Sequence, residues 1–468
     1  FRNLAPMKKK PLKQIQSNFI GRGFRLAKLT AKVGAKAAGH SLGKLVSSSD
    51  KNPEKWSQYL KAQAEILSQE LGQLKGSVMK AGQLLSTYGE HFLPPEANEL
   101  LMSLQHKSPP LEWVRVEKAL LQELGQDVLS ELAVDPEPFA AASLGQVHRA
   151  VIKETGEQLA LKIQYPGVEK AIATDLKFLK MMFQLTDLFP SGFQSEAIME
   201  EFKVMLHQEL DYEQEARETI WFHNQLRDIP RVQVPRVYQK YSSKRILATE
   251  FMDSIPAGDP QVQKWPEETR HEVARLFLNV YMRELFEWGK VQTDPHFGNY
   301  RVRLNEEGLP ILILLDFGAV RELPYGFQTS YRRMVAGALY HRREDVIAGG
   351  RSLGFLRDED SPEHVDVFVR LCYLVTEPFA DPAWKSVPND LMDSQGRYNW
   401  AESDLPQRVA RTGTELISQF RLRTPPREVV FIDRKLGGTF TFMSHLGCII
   451  DGRPIITKMV PGSEYASS

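Results

Sequence analysis

Asp316 closes an apolar run, Leu314-Leu315-Asp316-Phe317-Gly318. A buried strand would deliver its carboxylate at a fixed point, and the glycine lets the chain turn sharply afterwards. Such an Asp can bind a hard cation such as Mg²⁺ through oxygen. Upstream, Thr293-Asp294-Pro295-His296-Phe297-Gly298-Asn299 sets Asp294 five residues before Asn299 and 22 before Asp316. Lys162 stands inside the apolar strand Leu159-Ala160-Leu161-Lys162-Ile163, where an ammonium is costly without an anionic partner. Together these types suit phosphoryl transfer. Lysine holds phosphates, Asn299 and Asp316 hold metal, and Asp294 faces the acceptor or attacking water. Each also has a plain reading: Asp294 can start a turn before Pro295, and the Asp-Phe-Gly triplet arises by chance. His296 lacks a second histidine at ligand spacing, so it reads as a loop or packing residue.

Val147, fifteen residues before Lys162, closes Ala140-Ala141-Ala142-Ser143-Leu144-Gly145-Gln146-Val147. Against the kinase pattern G-x-G-x-x-G-x-V, Ala140 and Ala142 replace the first two glycines, and Gly145 alone is kept. Cβ atoms then stand where bare backbone would approach phosphate, which argues against an ordinary protein kinase. Glu209, Asp211, Glu213 and Glu215 place four acids within seven residues. In a helix expected over 195–226 they fall on two faces. One acid can pair with Lys162, and the surplus asks for a further cation. Lys80, in Lys80-Ala81-Gly82-Gln83, is the candidate. The plainer alternatives are a solvated acidic face and an ordinary exposed helix lysine.

The elements that must position these groups change character along the chain. Helical stripes occupy 53–92, 95–106 and 113–132. A strand-turn-strand pattern covers 139–152, and further strands are expected at 158–164, 232–237 and 245–251. Helices fill 168–188 and 195–226, and beyond Pro256 helix dominates except at 308–316. The fold class is α+β, in four parts: a basic extension 1–50, a helical domain 51–134, a small mixed lobe 135–255 and a helical lobe 256–468. A chain of 468 residues needs more than one core.

The formal charge is zero, with 59 bases and 59 acids, but it is unevenly spread. Residues 1–50 hold eleven Lys/Arg and one acid, Asp50, a balance of +10 against −10 for the rest. A solvated tail, a segment on an anionic membrane and a targeting sequence all fit this head. Phe1 to Pro6 precede Met7 and carry no weight. Two cysteines, Cys372 and Cys448, exclude a disulfide framework and a cysteine-based zinc site. No stretch approaches the roughly 18 apolar residues of a spanning helix. That argues against a bilayer-spanning chain and leaves a surface-bound one open.

In order and spacing these residues resemble the UbiB family of atypical kinases, in its ubiquinone-biosynthesis branch. The marks are Lys80-x-Gly82-Gln83 with Ser86, the loop Ala140 to Val147, Leu161 to Gly167, Glu209-x-Asp211, Gln292-Thr293-Asp294-Pro295 and Leu315 to Ala319. The resemblance covers roughly 55–455. It implies a protein-kinase-like two-lobed fold with an added N-terminal helical domain, and ATP and Mg²⁺ as cofactors. It implies that Lys80 meets Glu209 and Asp211 across the cleft, that Gln83 lines the site and that Lys162 pairs with Glu215. Asp294 becomes the catalytic-loop Asp, and Asn299 and Asp316 the Mg²⁺ ligands. The adenine hinge falls near Glu250-Phe251-Met252. The implied activity is ATPase turnover enhanced by lipid and phenolic ligands. A nucleotide-binding scaffold without turnover and a lipid or small-molecule phosphotransferase are the alternatives. Expected partners are an anionic membrane surface, lipid or quinone precursors and other ubiquinone-biosynthesis proteins. A homodimer through the helical head stays open, and nothing points to nucleic acid. Some bacterial members end in hydrophobic segments that this chain lacks, and Lys435-Leu436-Gly437-Gly438 with Phe440 to Cys448 resembles the mitochondrial type. The Met7 start fits a bacterial protein equally well. The expected place is the matrix face of the mitochondrial inner membrane or the cytoplasmic face of a bacterial one.

Overall fold

Alternation of buried and exposed residues sets the strands of the first half. In Gln158–Gln164, Leu159, Leu161 and Ile163 are buried on one face. Ala160 and Lys162 take the other face, as a period of two requires. The structure, a computed structural model, describes residues 110–142, 144–170, 172, 176, 203–384, 386–388, 390–419 and 427–462. The basic head, the helices expected before residue 110, most of the expected helix 168–188, Lys80, Gln83, Ser86 and Ser143 lie outside them.

In chain order the elements are α1 (Trp113–Ser130), β1 (Leu132–Ala141), β2 (Gly145–Ile152), β3 (Gln158–Gln164), α2 (Tyr212–Gln225), β4 (Val232–Gln233), β5 (Ile246–Glu250) and β6 (Ile255–Pro256). There follow α3 (Glu267–Arg283), β7 (Lys290–Gln292), β8 (Tyr300–Leu304), β9 (Pro310–Leu314), β10 (Val320–Glu322), α4 (Tyr325–Leu339), α5 (Arg343–Ser352) and α6 (Pro362–Thr376). The last are β11 (Tyr398–Asn399), α7 (Leu405–Gln419), α8 (Arg427–His445), β12 (Ile449–Ile450) and α9 (Arg453–Met459).

The chain forms two compact units. The first comprises residues up to Arg217 together with Arg236–Phe251; the second comprises Glu218–Pro235 and Met252–Ser468. In the first, β1, β2, β3 and β5 form an antiparallel sheet in that order. β1 begins seven residues before the expected strand start, so it takes residues the sequence pattern left between elements. Its Pro136 and Pro138 fall where register shifts interrupt pairing with β2, as prolines at a sheet edge must.

In the second unit β4, β9, β8 and β6 make a four-stranded sheet, and β7 pairs with β10. All five residues of β9 are buried, as the apolar run at 308–316 led one to expect. β7, β8 and β10 were not foreseen, because strands of three to five residues carry too few alternations to show a period. Helices α3 and α8 share the core, with Phe277 stacked on Phe442 at 4.1 Å between ring centroids.

The single helix expected over 195–226 is corrected. The chain leaves helix at Leu210 and Asp211 and re-enters at Tyr212. Asp211 accepts a bond from the Gln214 amide at 2.9 Å, which is an N-cap arrangement. The Gln164 side chain donates to the Leu210 carbonyl at 2.5 Å and fixes the break. Asp211 and Glu215 are therefore not two steps along one helix face.

Candidate active site

In the first unit, Lys162 donates to both Glu215 carboxylate oxygens, at 2.7 and 2.9 Å. Glu215 is buried and Lys162 is half-buried. Position 162 faces away from the leucines of β3, and Glu215 lies in the first turn of α2, where a carboxylate also suits the helix dipole. The ammonium lies 5.1 Å from the centroid of the Tyr212 ring.

The Ala-rich segment is mostly strand rather than loop. Ala140 pairs with Val147 and Ala141 with Gln146, and Ala142 donates its amide to the Gly145 carbonyl at 3.0 Å. Gly145 explains itself by packing: a Cβ there would overlap the Ile163 carbonyl and stand 3.1 Å from the Tyr212 hydroxyl. The glycine kept from the phosphate-loop pattern thus lets β2 lie against β3 and α2. Glu250 ends β5 and accepts from the Arg236 amide at 3.3 Å. Met252 begins the next stretch of the second unit, and its carbonyl accepts from the Ser254 hydroxyl at 2.8 Å. Glu209 precedes the helix break at Leu210.

In the second unit, hairpin pairing brings the other candidates together. Tyr300 at the start of β8 faces Leu314 at the end of β9, so Asn299 and Asp316 flank the same end of the hairpin. The Leu315 amide donates to the Asn299 carbonyl at 3.0 Å. The Asn299 amide group donates to the Asp294 carbonyl at 3.0 Å and to its carboxylate at 3.4 Å. Asp316 accepts from the Gly318 amide at 3.0 Å, and Phe317 stacks on Phe222 at 4.5 Å in the core. Thr293 donates through its amide and its hydroxyl to the Ala319 carbonyl, tying the two motifs side by side. His296 accepts from the Gly298 amide at 3.0 Å, a local turn role.

Arg434, Lys435, Gly438 and Glu284 carry no site role in the sequence reading. Arg434 of α8 donates to the Asp294 carboxylate at 2.8 Å, with both side chains close to nine-tenths buried. One turn on, Gly438 admits Pro295: a Cβ there would overlap the proline ring. Arg434 and Gly438, four apart, share a helix face. Next to Arg434, Lys435 is buried and pairs with buried Glu284 at 2.8 Å. Burial works most strongly on the Lys435 ammonium and pulls its pKa down, but the Glu284 carboxylate and the Tyr300 oxygen together hold it above the ordinary value. Burial pushes the Tyr300 hydroxyl up to about 12, so it remains a donor, and it bonds the Gln292 side-chain oxygen at 3.2 Å. The signal for these partners was a pair of adjacent cations, Arg434 and Lys435, ahead of Gly437-Gly438.

Asn299, Asp316, Gln292, Tyr300 and Lys435 line one small cavity. The donors suit Mg²⁺. With the Asn299 nitrogen turned toward Asp294, its amide oxygen would be the atom to join the Asp316 carboxylate on a cation. Two hard oxygen ligands fit a cation that keeps several waters and shares phosphates. Among the described residues no cluster of three His, Cys, Asp or Glu side chains could hold a metal.

The family described as the ABC1 atypical kinase-like domain matches residues 103–348, just over half of the chain. The chain belongs to this family of atypical kinase-like enzymes. It is 28% identical over 450 residues to a probable serine/threonine-protein kinase, abkA, of Dictyostelium discoideum, covering 92% of this chain and 77% of that one. It is 30% identical to the mitochondrial atypical kinase coq-8 of Caenorhabditis elegans, covering 82% of this chain but only 49% of the relative. The mitochondrial atypical kinase COQ8 of Saccharomyces cerevisiae is 28% identical, with 93% and 83% covered. Among solved structures, Rv3197 of Mycobacterium tuberculosis in complex with erythromycin aligns at a TM-score of 0.59 and 23% identity, covering 90% of this chain and all of that one. That likeness shows the fold. The kinase-like α+β architecture expected from the sequence is thereby met. Among the described residues no helix is long and apolar enough to cross a membrane.

Proposed function

We propose that the chain binds Mg-ATP and hydrolyses it as an atypical kinase/ATPase, supporting ubiquinone (coenzyme Q) biosynthesis at a membrane surface. The observation that carries this is the juxtaposition of Asp294, Asn299 and Asp316 at one end of the β8–β9 hairpin. Asn299 and Asp316 would hold Mg²⁺, and Lys162, oriented by Glu215, would hold phosphate. Catalysis then rests on positioning and on neutralising phosphate charge. Lys80 and Gln83 would guard the site, with Glu209 and Asp211 meeting Lys80. The segment Ala140 to Val147 and the stretch Glu250 to Met252 would border the nucleotide. The names of the worm and yeast relatives support a mitochondrial setting. The basic head supports a place on an anionic leaflet, on the matrix face of the inner membrane or the cytoplasmic face of a bacterial one.

One observation bears on the role of Asp294 toward a nucleophile, water or hydroxyl alike. The Asp294 carboxylate already receives Arg434 and Asn299, which suits it to orienting the nucleophile more than to taking up its proton. Phosphate release from Mg-ATP on anionic vesicles separates the ATPase from a silent scaffold and from a phosphotransferase. Release that falls to background in Asp316→Asn supports the ATPase. Equal release in both proteins refutes it, and no release with intact nucleotide binding leaves the scaffold. Label appearing on an extracted lipid would instead establish a phosphotransferase.

A further inference from the structure

Helix α3 passes into a π-helical turn, Glu284–Trp288, an irregularity often found beside functional sites. It carries Glu284, which is 1% exposed. From α8, Lys435 reaches Glu284 at 2.8 Å and the Tyr300 hydroxyl at 3.4 Å. Both of those groups hold Gln292. The Glu284 carboxylate accepts the Gln292 amide at 3.4 Å, and the Tyr300 hydroxyl donates to the Gln292 side-chain oxygen at 3.2 Å. So oriented, the Gln292 side-chain nitrogen donates to the Asp294 carbonyl at 2.9 Å and to the Asp316 carbonyl at 3.3 Å. One amide thus spans the backbone of both acidic motifs. Relative to apolar residues of the same volume, a buried ion pair adds little net stability. The polar contacts of this one lead to a single place, the carbonyls of Asp294 and Asp316.

We propose that Lys435 and Glu284 are positioning residues that act through Tyr300 and Gln292 to set the spacing of Asp294 and Asp316. This rests on the Mg-nucleotide reading for what the spacing serves, but not for whether it is set this way. Helix α8 thereby becomes part of the catalytic machinery at the level of geometry. It braces the loop from behind, while Arg434, its neighbour, meets the Asp294 carboxylate directly.

The test compares the wild-type chain with Gln292→Met, which deletes both donations at similar volume, and with the double variant Glu284→Met/Lys435→Met, which leaves no unpaired buried charge. Gln292→His supplies the conservative rescue, since imidazole offers one N–H donor. Amide hydrogen exchange is followed without nucleotide at 293–299 and 315–318, with α4 as internal reference. The Mg²⁺ half-saturation is read from fluorescent-ADP binding. Gln292→Met and the double variant should exchange roughly tenfold faster in both loops, with α4 unchanged. Their Mg²⁺ half-saturation should rise about tenfold, the lower end for groups that orient ligands. Gln292→His should recover most of both effects. A lower melting temperature with unchanged exchange and unchanged half-saturation would reduce the network to a structural pair and overturn the proposal. If the double variant does not fold, the two Gln292 variants decide. If the wild type shows no Mg²⁺-dependent nucleotide binding, the proposed function falls. The exchange data alone then decide the positioning claim, and equal rates in wild type and variants overturn it.

Discussion

Lys162 and Asp294 solve the same problem, a charge held near burial, in two different ways. Lys162 has a carboxylate from a neighbouring helix, reached by two short bonds. Asp294 is held by groups from β7, from the turn before β8 and from α8, 140 residues further along the chain. The first arrangement centres on one short ion pair, and the second is a brace with members from three elements. Removing one member of the short pair should cost more than removing one member of the brace.

The largest expected effect falls on the brace's metal end. Asp316→Asn should lower Mg²⁺-stimulated turnover on the order of 100-fold, since a ligand matters at least as much as the groups that orient it. Steady-state phosphate release measures this. Next comes the direct pair. Lys162→Met removes the cation that makes two short bonds to buried Glu215, and a loss of roughly 2–3 kcal/mol follows, below the full cost of breaking a deeply buried pair because Lys162 keeps some solvent. Urea unfolding checks it, and Glu215→Gln should cost less because the group left buried is neutral. Arg434→Met should destabilise by only about 1–2 kcal/mol, because Asn299 still donates to Asp294. If Arg434→Met costs more than Lys162→Met, the contrast between pair and brace is wrong.

The smallest effect is a pH dependence in the first unit. His148 bonds the Asp135 carbonyl and the Gln146 side chain. Burial lowers its pKa below the ordinary histidine value, against the pull of the Asp135 carbonyl. The folded state therefore binds a proton less readily than the unfolded one. The stability it supports is complete above a pH of about 6.5 and declines as pH falls toward the folded-state value. Melting temperatures at pH 7.5 and pH 5 should differ less in His148→Gln than in wild type.

The two regions also differed in how far they could be read from the residues. A lysine in an apolar strand demands an anion, and the acids at 209–215 supplied candidates, but the choice of Glu215 among them came from the family resemblance. The Asp294, Asn299 and Asp316 spacing was legible because hairpin pairing converts sequence distance into proximity. Arg434, Lys435 and Glu284 were not. Their contacts are long-range and rest on a π-helical turn and on Gly438 admitting Pro295, neither of which leaves a periodic trace. The break at Leu210 was missed for a similar reason, since Gln164 makes it from 46 residues away. Gly145 taught the converse: a motif glycine whose explanation in the fold is close packing of strands.

The central claim, that these acidic motifs bind a metal-bearing nucleotide, is tested most directly by calorimetric titration of ADP with and without Mg²⁺, in wild type and Asp316→Asn. Wild type should bind at least about tenfold more tightly with Mg²⁺ present, and the variant should show little of that gain. Equal Mg²⁺ dependence in the two proteins, or none in wild type, would contradict it.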